Sequence, residues 1–195
     1  SMAGYFSQRT EFSDMMDDIV TKFNSSSGFK NKVETYTICD SIDRYENIDD
    51  FQSALRLEPG NQISIGKSSK LDQILDQIYQ NTSEGEVSLL VTDAIMSGSD
   101  DQIRQYYARH NKHYNQEQKN ALKNEIYKIA DQNKDQFFVS ICANKSNFNG
   151  TYYKLDNSRL AGQFESRPYY IIAIGDKEVY KDFKIKWENK ITCNH

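Results

Sequence analysis

Proline is nearly missing from this chain: Pro59 and Pro168 are the two in 195 residues, and glycine numbers nine. Those counts exclude a collagen-like or Pro/Gly-rich fibrous chain. Cysteine is scarce too, with Cys39, Cys142 and Cys193, and a disulfide miniprotein is excluded. Three cysteines cannot all pair within one chain, and Cys142 sits in an apolar run, so the expectation is mostly buried thiols. Long apolar runs are absent. The longest, 169–174 (YYIIAI), is far short of the ~20 residues a membrane span needs. No N-terminal stretch has the charged-then-apolar layout of a signal peptide, so a cytoplasmic location is expected. A basic excess is also lacking. With 24 Lys+Arg against 28 Asp+Glu, the net charge is -4, which excludes broad binding of a phosphate backbone.

What the chain does have is aromatic bulk. Its 13 Tyr and 10 Phe supply large apolar bodies, so it reads as a globular chain able to build its own core. With no repeat and no linker, the expectation is one domain over 1–195. Phe12, Met15, Met16, Ile19, Val20 and Phe23 share one helical face, which Asn24 and Gly28 close. KVETYTI (32–38) suits a strand, Ile48 to Leu55 a short helix, and 62–65 a brief strand ending at Gly66. Ser69 to Asp72 has the form of a capping box, followed by Leu71, Ile74, Leu75 and Ile78 at helical spacing. EVSLLVT (86–92), FFVSICA (137–143) and YYIIAI read as buried strands, with helices over 100–108 and 116–131 between the first two. A short helix is expected after Gly175 and Asp176. This alternation predicts an α/β fold: a doubly wound, mostly parallel, Rossmann-like sheet with helices on both faces. The segment 145–167 reads as a polar excursion, with a turn at Asn149-Gly150 and exposed aromatics beside it.

In such a sheet, ligands gather beyond the carboxyl ends of the strands, which singles out Asp93 after EVSLLVT and Ser68 and Ser69 after Gly66. A helix cap accounts for Ser69 equally well, and a turn for Asp93. His110 and His113 lie in a polar basic turn without a third ligand. Asp40 and Asp43 fit an ordinary loop, and Cys39 and Cys142 lack a histidine partner for nucleophilic work. Sequons at Asn24, Asn81, Asn144 and Asn149 are cheap in an Asn- and Ser-rich chain. No GxGxxG, P-loop or GxSxG occurs.

Taken together, Thr92-Asp93 after a buried strand, the stretch Gly66 to Leu71, and the opening Ser1-Met2-Ala3-Gly4 resemble the von Willebrand factor A family. There an Asp-x-Ser-x-Ser motif precedes the first helix. The resemblance implies a metal-ion-dependent adhesion site. Ser1 would match the motif's last serine, Ser69 the loop Ser/Thr, and Asp93 the later aspartate. The motif's aspartate and first serine have no counterpart here, nor has the strand that carries them. With Asp93 the sole carboxylate among the three, Mg²⁺ is expected to bind weakly or not at all.

The function expected from this resemblance is a protein-binding module of adhesion or scaffolding type, part of a longer bacterial protein, with no catalytic residues. One rival is a metal-dependent phosphoryl or phosphodiester enzyme, which needs a second carboxylate beside Asp93 from Asp40, Asp43 or Asp176. The other is a metal-free structural module that makes contacts through 145–167.

Overall fold

The computed structural model describes residues 2–7, 9–25, 33–38, 42–56, 70–95, 100–110, 114–132, 135–154 and 158–180. After a 3-10 turn at Met2–Tyr5 come α1 (Glu11–Ser25), β1 (Tyr36–Ile38), β2 (Ile42–Arg44) and α2 (Ile48–Leu55). Then follow α3 (Leu71–Asn81), β3 (Val87–Thr92), α4 (Asp100–His110), α5 (Tyr114–Gln132), β4 (Phe137–Tyr153) and β5 (Arg159–Asp176). The expected strand at 62–65 lies outside the described residues. The chain forms two compact units. The first holds Ser1–Ser69 with Lys145–Lys154 and Arg159–Arg167; the second holds Lys70–Asn144, Leu155–Ser158 and Pro168–His195.

In the first unit, α1 starts on a reciprocal cap: the Thr10 amide donates to Ser13 Oγ at 2.9 Å, and the Ser13 amide to Thr10 Oγ1 at 3.3 Å. Its inward stripe is Phe12, Met16 and Val20, and α2 buries Phe51, Ala54 and Leu55. Tyr5 packs against Phe12 and Phe148 with ring centroids 5.0 Å apart in each pair. Gly4 makes this possible, because a Cβ there would meet the Phe148 ring at 2.3 Å. The strand expected over 32–38 is shorter than read: β1 pairs with β2 in a small antiparallel hairpin, Ile38 opposite Ile42.

The second unit contradicts the doubly wound parallel sheet. Its sheet has the order β3-β5-β4 and is antiparallel, with Val87 opposite Gly175 and Thr92 opposite Tyr170. Parallel neighbours need a crossover of about a dozen residues or more, whereas only 154–158 separate β4 from β5. At the far end of that hairpin the Lys177 amide donates to the Gln136 carbonyl at 2.9 Å. The supposed excursion 145–167 is largely the continuation of these two strands, and no turn forms at Asn149-Gly150. The strand–helix–strand passage from β3 through α4 and α5 to β4 does occur. Yet β5 inserts between β3 and β4 instead of joining them in a Rossmann-like order. Only β5 is buried on both faces, from Ile171 to Asp176; β3 is an edge strand with Leu90 and Thr92 as its buried residues.

Leu71, Ile74, Leu75 and Tyr79 of α3 and Leu122 and Ile129 of α5 complete the second core. The N-cap of α3 is Lys70, without a side-chain cap bond of its own, and Ser69, where the capping box is expected, lies outside the described residues. Cys142 is buried as expected, but it is disulfide-bonded rather than a thiol. No helix among the described residues is long and apolar enough to cross a membrane.

Candidate functional site

Asp93 follows the last residue of β3 and is 6% exposed. Its Oδ1 accepts from the Ile95 amide at 3.1 Å, while Thr92 Oγ1 accepts from the Ala94 amide, also at 3.1 Å. Between them Ala94 sits at φ 54, a left-handed conformation that costs a Cβ-bearing residue energy. The two side chains thus hold the sharp exit from the strand, as such residues commonly do. Asp93 serves its own loop.

The other two residues of the expected metal set, Ser1 and Ser69, lie outside the described residues, as does Ser68. Among the described residues, no group of three or more His, Cys, Asp or Glu side chains could hold a metal ion. Of the expected set only Asp93 is described, and its carboxylate holds a turn.

Nor does the carboxylate pair of the enzyme reading assemble on the sheet. Asp176 lies beside Glu86, donating its amide to the Glu86 carbonyl at 3.1 Å. Asp93 is at the opposite end of β3, roughly 20 Å away at ~3.4 Å per residue. Asp176 has local work: Oδ2 accepts from the Gly85 amide at 3.0 Å and Oδ1 from the Glu178 amide at 2.7 Å. Asp43 sits exposed on β2, and Asp40 is outside the described residues. His110 stacks on Tyr106 at the end of α4 with ring centroids 4.5 Å apart; His113 is outside the described residues.

A different cluster is built in the first unit, on the Lys145–Lys154 and Arg159–Arg167 parts of the β4–β5 hairpin. Its base is Phe148, 1% exposed. The Arg167 guanidinium lies 3.8 Å from the centroid of the Tyr152 ring and 5.6 Å from that of Phe148. Phe164 approaches the same two rings, with centroids 6.1 Å from each. Arg159 stands over Tyr153 at 5.5 Å, and the neighbouring Leu160 is 43% exposed. Cations over aromatic faces attract through the ring quadrupole, so each pair holds its arginine in a set direction.

The strand's irregularity creates this arrangement. In a regular strand, residues three apart point to opposite faces. Phe164 and Arg167 nevertheless meet the same rings, with exposed Glu165 and Ser166 between them. Ser166 has φ 56, which breaks the pleat and turns Arg167 to the side of Phe164. The aromatic half of the cluster, in Ser146 to Tyr153, is legible in the sequence as aromatics beside a polar stretch. Arg167 and Phe164 are not, because period-two reading puts them on opposite faces.

The hairpin is anchored to α1. Glu11 accepts from the Asn147 amide at 3.1 Å, from Asn147 Nδ2 at 3.3 Å and from Ser146 Oγ at 3.1 Å. Ser146 Oγ in turn accepts from the Phe12 amide at 3.1 Å. The Asn147 amide and Glu11's own amide, with a lesser part from the Ser146 hydroxyl, hold the Glu11 carboxyl below its ordinary value against the opposing effect of burial.

Comparison with family models, curated proteins and solved structures gives no match to this chain. No relative therefore lends it a function.

Proposed function

We propose that this chain is a protein-binding module and that the stretch of the β4–β5 hairpin carrying Tyr152, Tyr153, Leu160 and Phe164 is where it binds. The observation that carries the reading is this aromatic and arginine cluster: half-exposed Phe164 and Arg167 against the buried Phe148 ring, Tyr152 beside them, and an exposed leucine, Leu160, on the same stretch of β5. Protein interfaces favour such anchors, since aromatic and arginine side chains combine contact area with directed polar groups. Clamping by Glu11 adds to this, because a surface already held in place loses less conformational freedom when a partner docks. For location, the disulfide at Cys142 favours an oxidising compartment over the cytoplasm.

The test is affinity capture from cells that make the protein, using the wild type, Leu160→Glu and Tyr107→Glu. Leu160 and Tyr107 are 43% and 51% exposed, so neither change disturbs a core, and Tyr107 lies on α4 away from the hairpin sequence. Proteins retained by wild type and Tyr107→Glu but lost with Leu160→Glu are the expected result. An identical set on all three baits overturns the reading.

A further inference from the structure

We propose that the partner is recognised through its carboxylates: the Arg167 cluster is a seat for an acidic peptide segment. This rests on the protein-binding reading and specifies its chemistry.

Arg167 carries the argument. No carboxylate among the described residues pairs with it, whereas Arg9, Arg44, Arg56 and Arg104 each have one. Its Nε is buried without a hydrogen-bond acceptor. Burial of Nε without an acceptor leaves the guanidinium charge poorly compensated, and its Nη end, the part of this half-buried side chain not closed off, is where an anion can reach it. Stacking on Tyr152 uses the flat face of the guanidinium and leaves its N–H groups, which lie in the plane, to bond at the edge. That edge matches a carboxylate in a two-bond fork. Because the ring already fixes the fork's direction, less freedom is lost on binding.

The charge pattern agrees. Residues 145–167 hold Lys145, Lys154, Arg159 and Arg167 against Asp156 and Glu165, a net of +2 in a chain of net -4. An acidic segment is drawn to this face and repelled by the remainder of the chain. Single-stranded nucleic acid, which also uses arginine and aromatic faces, needs a groove of positive charge along its backbone, and this acidic chain has too few cations for one. The free side of β5 is poorly suited to adding a strand: β3 stops opposite Tyr170, Ser166 breaks the pleat and Pro168 has no N–H. Recognition is therefore by side chains: Arg167 on a carboxylate, with Tyr152, Phe164 and Leu160 on the apolar parts of the segment.

The experiment titrates capped octaglutamate, its octaglutamine counterpart and an oligothymidylate of the same length into the intact chain by calorimetry, at low and high salt. Arg167→Gln and Arg167→Lys are run beside the wild type, each checked by circular dichroism, with Arg104→Gln as a control on α4. The expected result is salt-sensitive binding of octaglutamate alone. Arg167→Gln should weaken it about tenfold or more, and Arg104→Gln should leave it unchanged. Arg167→Lys keeps the charge and loses the fork, so it should retain the fold and bind at an intermediate strength. Three results overturn the proposal: no octaglutamate binding, binding equal in wild type and both Arg167 variants, or a preference for the oligothymidylate. If these occur while Leu160→Glu still abolishes capture, only the acidic chemistry falls. If capture is also indifferent to Leu160, the binding-module reading falls with it.

Discussion

Gly175 lies opposite Val87 in the β3–β5 ladder, where a Cβ would stand 2.5 Å from the Glu86 carbonyl oxygen and 2.9 Å from Val87 Cα. Both obstacles are backbone, so neither can swing aside as a side-chain tip would. Gly175→Ala should cost about 3 kcal/mol of stability in denaturant unfolding, the upper end of what overpacking does. Asp93 makes a contrasting case. Its carboxylate is buried and bonded to the loop it starts, so Asp93→Ala should lose about 1–3 kcal/mol. Asp93→Asn keeps an acceptor oxygen in place and should lose less. Equal stability of the alanine variant and the wild type would show that Asp93 has no such part in the turn.

Glu11 links two elements, the first turn of α1 and the middle of β4, and its effect depends on pH. Since folding lowers its pKa, the clamp stabilises fully above the unfolded value of about 4.3 and is lost as pH falls through the folded value. Stability of the wild type should thus exceed that of Glu11→Gln near neutral pH, and the gap should close on acidification in pH-stepped urea melts. A gap that widens in acid would contradict the clamp. At this scale the helices were legible because 3.6-residue periodicity is a local property: α1, α2, α3 and α5 fall where Phe12, Phe51, Leu75 and Leu122 and their neighbours place them. The strands were legible as strands, but not in direction. A continuous apolar run such as YYIIAI marks burial on both faces, which a central antiparallel strand provides as well as a parallel one. What decides between them is the length of the connection. The polar residues of 145–167 concealed this: the buried alternation at the end of β4 runs through a serine, Ser146, before Phe148, and β5 is mostly exposed up to Pro168.

For the whole molecule, cysteine chemistry offers a direct count. With Cys142 in a disulfide and three cysteines in the chain, denatured protein kept from reductant should release one thiol to a thiol reagent, and three after reduction. Three thiols before reduction would contradict the pairing. The two compact units divide the work in this account. The second buries the sheet that ends at Asp93 and Asp176, both used to hold turns; the first carries the clamped hairpin with its arginine and rings. The adhesion-type expectation had placed binding at Asp93, because the strand end is where a doubly wound sheet gathers ligands. An antiparallel sheet has no such privileged edge. The proposed binding site lies instead where side chains are exposed and preset by their ring contacts.

The most direct test of that claim is residue-resolved: amide chemical shifts of the labelled chain recorded by NMR during titration with octaglutamate. The account predicts perturbations grouped in Lys145–Lys154 and Arg159–Arg167, with the Arg167 Nε–H signal among the most shifted. Shifts centred on Thr92 to Ile95, or on α4 and α5, with the hairpin unmoved, would contradict it.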